Sequence, residues 1–207
     1  MSPKMSVFCL LCIFFIFLSP CSMYAQNSEN ELVVADFDSG SKPNNIGGIF
    51  GTWDYDPNDD TQGCSMRFSN SYLFEPETGY AMRLDYDVQS PNPAFNGFWM
   101  KLEGIDVTEY NRFRFWVKGD AQRNFTTRFK VELKNSLGKR AVYLIKNVTP
   151  EWREVMIDFK KTRAIKDWSN LSEFTVVFSD LVSTYKEGTI YIDRLSFLKV
   201  SENSPQA

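Results

Sequence analysis

Hydrophobic and polar residues alternate along most of this chain. In 111–118, Phe113, Phe115 and Val117 alternate with Arg112, Arg114, Trp116 and Lys118. In 125–134, Phe129, Val131 and Leu133 alternate with Arg128, Lys130, Glu132 and Lys134. A period of two sends successive side chains to opposite faces of a strand, and one wet face marks a strand buried on one side only. The same pattern, with β-branched and aromatic residues between turn residues, predicts strands at 32–37, 49–54, 64–69, 80–88 and 95–102. It continues at 111–118, 125–134, 139–146, 152–159, 173–179 and 188–198. A short helix is predicted over 167–173, where Trp168 and Leu171 stand three apart. Ser136-Leu137-Gly138 separates two alternating runs as a hairpin turn, with Gly138 free to take positive φ. Antiparallel strands with one wet face each stack into two sheets. The expected fold class is therefore all-β, a two-sheet antiparallel β-sandwich of jelly-roll type, with a closed barrel as the alternative.

The first 25 residues break the alternation. Lys4 precedes an apolar run from Val7 to Leu18, and a polar exit ends in Ala25. That anatomy predicts a secretory signal peptide cleaved after Ala25. The run is too short for a membrane span, which needs ~20 apolar residues. Leu18-Ser19-Pro20-Cys21 offers a lipoprotein signal as the alternative, but Pro20 stands where a small residue is expected. The protein is thus expected to be secreted or periplasmic. Roughly 180 residues remain, enough for one domain with its own core. That domain is placed at 32–198, followed by a polar tail at 199–207.

Composition narrows the chemistry. The chain has 23 basic and 26 acidic side chains, a net charge of −3. Mild acidity spread along the sequence argues against nucleic acid or an anionic membrane as the main partner. Cys9, Cys12 and Cys21 fall in or beside the leader, so Cys64 is left alone and is read as a small buried hydrophobe. There is no histidine. Ser-His-Asp and Cys-His nucleophiles and histidine-ligated zinc are excluded.

Several short segments carry a resemblance. They are Ala35-Asp36-Phe37-Asp38, Phe115-Trp116-Val117-Lys118-Gly119-Asp120, Phe129-Lys130-Val131-Glu132-Leu133, 152–159 (WREVMIDF) and 190–195 (IYIDRL). In this order they resemble the galactose-binding-like jelly roll, and in particular carbohydrate-binding modules similar to family 11. The complex I intermediate-associated protein domain shares the skeleton. The resemblance spans roughly residues 32–198 and implies terminal strands lying side by side, often bridged by a structural Ca²⁺. It further implies glycans bound across the concave sheet. Carried over by position, Asp38 and Asp193 are the implied Ca²⁺ ligands; carboxylate oxygens are what that ion takes. Both residues also suit turn caps at strand ends.

By strand parity, Arg112, Arg114 and Trp116 share one side of their strand, and Arg128, Lys130 and Glu132 one side of the next. If the short connection 120–124 makes these strands neighbours, the two sets form one patch. Arg114, Trp116, Arg128, Lys130 and Glu132 are then the candidate ligand-binding residues, with Trp116 stacking a sugar. The alternative is a cross-strand charge ladder that only keeps the sheet soluble. Of Phe98 and Trp99, one must point outward; Trp53 is undecided, and Trp152 and Trp168 suit packing at an edge. The glycines of 44–53 suit a sandwich corner. Asp54 to Asp60 spaces oxygens as calcium loops do, without the required Gly and Glu, and reads as a solvated acidic loop. Asn124, Asn147 and Asn170 head glycosylation sequons.

Three functions stay open. The first is a non-catalytic carbohydrate-binding domain with a glycan or polysaccharide as partner. The second is an adaptor using the same face for protein. The third is a carboxylate glycosidase, for which Glu132, Glu154 and Asp158 are the only grouping to name.

Overall fold

The computed structural model describes residues 30–71 and 79–201. The leader, its cleavage point and residues 202–207 of the tail lie outside the described residues. Eleven strands are observed among the described residues. β1 to β5 are Glu31–Ala35, Phe50–Asp54, Gly63–Ser69, Ala81–Asp87 and Phe95–Ile105. β6 to β9 are Arg112–Gly119, Arg128–Asn135, Arg140–Lys146 and Arg153–Ile157. β10 is Leu171–Ser179 and β11 is Glu187–Leu198. Every predicted strand is present. The predicted helix over 167–173 is not: Leu171 opens β10, and among the described residues the helical turn is a 3-10 turn at Phe159–Lys161. Trp168 and Leu171 do both face the core, but on an extended segment, where Trp168 meets Phe159 edge-on at 4.8 Å.

The strands form two antiparallel sheets. The back sheet runs β3-β4-β11-β6-β9, with β1 also paired to β11. The cleft sheet runs β2-β5-β10-β7-β8. The sandwich is the observed architecture, not the barrel. Its inner faces carry the apolar residues of each alternation. In β6 Phe113, Phe115 and Val117 are fully buried, and in β7 Phe129, Val131 and Leu133 are too. Aromatic contacts join the sheets: Tyr86 stacks on Phe178 at 4.1 Å, and Phe113 meets Phe174 at 5.3 Å.

One inference from connection length is corrected. β6 and β7 are not neighbours; β6 lies between β11 and β9, and β7 between β10 and β8. The segment 120–127 is not a hairpin. It wraps the start of β11, with the Asp120 amide donating to the Thr189 carbonyl (3.0 Å) and the Thr189 amide to that of Asn124 (3.0 Å). Phe125 then packs on Gly119, where a Cβ would meet its ring at 2.0 Å. The chain leaves one sheet at Gly119 and enters the other at Arg128.

Gly138 closes the β7–β8 hairpin at φ 71°, as expected, its amide donating to the Asn135 carbonyl at 2.9 Å. Gly97 has a different role. A Cβ there would fall 1.9 Å from the Val176 carbonyl oxygen and 3.3 Å from the Trp53 ring nitrogen. Gly97→Ala is expected to destabilise the domain by at least ~2 kcal/mol through overpacking against backbone. Urea unfolding of wild type and variant measures this; equal midpoints would remove the claim.

Candidate functional site

The outer face of the cleft sheet is built by register. Phe98 and Met100 are fully buried, so Trp99 and Lys101 between and beyond them point outward. Facing residues form rows across the sheet. One row is Gly51, Trp99, Thr175, Glu132 and Val142. The next is Trp53, Gly97, Val177, Lys130 and Leu144. A third is Lys101, Glu173, Lys134 and Arg140.

Each tryptophan has a glycine opposite it. The Trp99 ring lies over Gly51, 3.1 Å from where a Cβ would be, and its Nε1 donates to the Thr52 carbonyl at 3.2 Å. Trp53 lies beside Gly97 in the same manner. Phe95 meets Trp53 at 6.0 Å and Tyr55 at 4.0 Å, which extends the aromatic ground along this side. The glycines of 44–53 therefore do two things. Gly47, at φ 89°, turns the corner at Asn44, while Gly51 seats a tryptophan.

Charged residues occupy the other side. Lys101 binds Glu173 at 2.5 Å and stands 5.4 Å from the Trp99 ring centre. Lys134 reaches Glu173 at 3.9 Å, and Arg140 reaches Glu132 at 3.2 Å. Together with Asp180 and the exposed Leu181 at one end and the Gly138 hairpin at the other, they enclose a cleft of about 1200 Å³. A floor that is half aromatic and half hydrogen-bonding is suited to a flat amphipathic ligand.

The five predicted ligand residues do not meet. Lys130 and Glu132 line this cleft, whereas Arg114 and Trp116 stand on the back sheet, on the opposite side of the molecule. Arg114 forms an ion pair with Glu31 and lies 3.8 Å from Glu154, fastening β1 and β9 to β6. Trp116 is half-buried between Glu154 and Asp193 of the flanking strands. Arg128 donates from Nε to the Val182 carbonyl at 2.8 Å and supports the β10–β11 loop. Sequence reasoning left Trp53 open, set Trp99 only as an alternative to Phe98, and missed Lys101 and Glu173. Their parity with the buried Phe98 and Phe174 was the available signal.

The glycosidase grouping is dispersed too. Glu132 is on the cleft sheet, Glu154 on the back sheet, and Asp158 binds Arg112 at 3.1 Å and Lys161 at 3.2 Å. Cys64 is a free, half-buried cysteine, and burial, with Asp54 and Asp85 beside it, pushes its thiol up, away from nucleophilic use. In the acidic loop Asp59 accepts from Thr61, Gln62 and Asn92, which holds its carboxyl well below the usual range. Its oxygens tie loops together.

Asp38 and Asp193 act on each other electrostatically. β1 pairs with β11, and bulges in both strands interrupt the register there. Phe37 (φ 57°) and Arg194 (φ 45°) take left-handed backbone conformations next to the two carboxylates. Such conformations cost about 1–3 kcal/mol each in a non-glycine residue and gather where side chains must be aimed. Asp193 is buried, and its carboxyl is pushed up from 3.8 to about 7, first by burial and then by the charges of Asp38 and Asp36. The Arg194 amide, donating to it at 2.7 Å, and the Arg194 charge oppose the shift. Among the described residues no group of three carboxylate, thiol or imidazole side chains converges to hold a metal ion.

Solved structures share this arrangement of strands. The chain superposes on the family 11 carbohydrate-binding module of the cellulosomal cellulase Lic26A-Cel5E of Clostridium thermocellum with a TM-score of 0.60. Identity is 17%, over 84% of this chain and 97% of that one. The two-sheet β-sandwich of that module is the fold of this chain. A family 11 module from Clostridium thermocellum in complex with a β-1,3-1,4-mixed-linked tetrasaccharide matches at 0.59 and 16% identity, over 84% and 98% of the two chains. An exo-β-agarase matches at 0.56 and 12% identity, over 84% of this chain and 26% of its own. No protein-family model and no curated protein matches the chain in sequence.

The carboxyl of Asp193 gives a signed expectation. A raised carboxyl holds its proton more tightly in the folded chain, so its contribution is fully favourable below pH ~4 and is lost as pH rises through about 7. In chelator, stability should fall between pH 5 and 8 by on the order of a few kcal/mol, and Asp193→Asn should flatten that slope. Urea melts across this range read it; identical slopes in the two proteins would dismiss Asp193 as the source.

Proposed function

We propose that this is an exported, non-catalytic glycan-binding domain whose ligand lies across the cleft sheet. The observation that carries the reading is the pairing of Trp53 and Trp99 with the Lys101–Glu173–Lys134 chain on one open floor. The tryptophan faces suit the apolar faces of sugar rings, and the charged groups suit hydroxyls. Five strands give four spacings of ~4.8 Å, so the floor is ~19 Å wide, room for a short run of sugars. The tetrasaccharide complex of a module with this fold supports the ligand class. Export rests on the basic, apolar and small-residue leader of residues 1–25. Trp99→Ala is expected to weaken polysaccharide binding by ~30-fold or more, as loss of a central aromatic anchor does, while Trp116→Ala leaves it unchanged. Affinity electrophoresis against a panel of soluble polysaccharides tests both. Loss of binding in Trp116→Ala with Trp99→Ala unaffected would move the site to the back sheet.

The same reading includes a structural Ca²⁺ near Asp38 and Asp193. What supports it is the chemistry: hard carboxylate donors, one of them buried among like charges that a cation would offset. Two carboxylates are an incomplete shell, so backbone carbonyls and water would have to complete it. A bound ion would hold the first strand against the last. At a hundredfold excess over Kd it would stabilise the fold by about 2.7 kcal/mol. Thermal melts at pH 7.5 in CaCl₂ and in EDTA should differ for wild type and coincide for Asp193→Asn. Coincident melts for wild type would exclude the ion.

A further inference from the structure

The cleft is positively charged in a chain that is negative overall. Three of its cations, Lys101, Lys134 and Arg140, share the two glutamates Glu173 and Glu132. Lys130 and Lys139 also line it, and among the described residues neither has an ion pair. The other carboxylate lining the cleft is Asp180. Five cations against three anions leave an excess of positive charge on this floor, while the whole chain carries −3.

The position of Lys130 matters more than the count. It faces Val177 on one side and Leu144 on the other, in the row that starts at Trp53. Its half-buried stem lies among apolar neighbours and lifts the ammonium over the floor. A neutral glycan offers hydroxyls to such a group and leaves its charge uncompensated. An anionic one supplies both the hydrogen bond and the opposite charge, in a cleft where water screens less than at an open surface. Lysine, a point charge with rotatable donors, suits carboxylate and sulfate oxygens alike.

On the reading of the cleft as a glycan site, we propose that its ligand is an anionic polysaccharide, carrying uronate carboxylates or sulfate esters. The sugar rings lie on Trp53 and Trp99, and the anionic groups reach Lys130 and Lys139. Neither lysine takes part in the ion pairs that organise the floor, so both can be removed without dismantling it.

Three soluble polymers test this by calorimetry at 20 and 150 mM NaCl: polygalacturonate, a sulfated galactan and neutral mixed-linked β-glucan. The proteins are wild type, Trp99→Ala and Lys130→Ala/Lys139→Ala, each checked for an unchanged melting temperature; if the double alanine variant melts early, the double glutamine variant replaces it. The expected result is salt-sensitive binding of one charged polymer, weakened ~10-fold or more in the double-lysine variant and lost in Trp99→Ala. Whichever charged polymer binds then identifies the anionic group. Tight binding of the neutral glucan that ignores the lysines but needs Trp99 would overturn the anionic ligand and leave the glycan site standing. Charged-polymer binding indifferent to Trp99 would be diffuse electrostatics and would overturn it as well. No binding to any polymer would overturn the glycan reading itself.

Discussion

Two sheets press a single aromatic layer between them, and that contact carries the molecule. Tyr86 and Phe178 stack across the sandwich, Phe113 sits among Phe115, Phe174 and Phe197, and Phe159 closes one end against Trp168 and Phe197. Cys64, the one cysteine among the described residues, is free, so within them burial and not a covalent bridge holds the fold. Because every inner position is committed to this layer, strand parity leaves the outer positions available for other chemistry.

The two outer faces use that availability differently. On the back sheet, charged residues bind one another: Asp85 holds Arg83 of its own strand and Arg67 of β3, and Arg114 ties in Glu31. On the cleft sheet, small residues opposite Trp53 and Trp99 let large rings lie against the strands, and loops at both ends give the floor its walls. A side chain at Gly51 or Gly97 would lift a tryptophan away or strike backbone. The cleft depends on absent side chains as much as on present ones.

Two of the left-handed non-glycine residues stand where the first and last strands meet. β-Bulges and left-handed Phe37 and Arg194 place Asp38 and Asp193 in one electrostatic neighbourhood, with Asp193 buried. A fold that sought only stability would place an asparagine or a serine there. A carboxyl raised to about 7 is sensitive both to proton concentration and to cations, which links the seam between the termini to solution conditions.

Alternation between turn residues located every strand, and in β6 and β7 the inner face as well, because a period of two is local and burial enforces it residue by residue. The sequence also marked Gly138 as a turn, excluded histidine chemistry by composition and brought Asp38 and Asp193 forward through the family resemblance. It did not determine which strands pair. The connection 120–124 read as short enough for a hairpin, yet backbone bonds to β11 and the fit of Phe125 on Gly119 carry the chain to the other sheet. That one crossing separates Arg114 and Trp116 from Lys130 and Glu132. Lys101 and Glu173 are neighbours only through β5–β10 pairing, between segments some seventy residues apart. Strand faces are set by local periodicity, whereas sites are set by register between distant segments, and only the packed sandwich decides register.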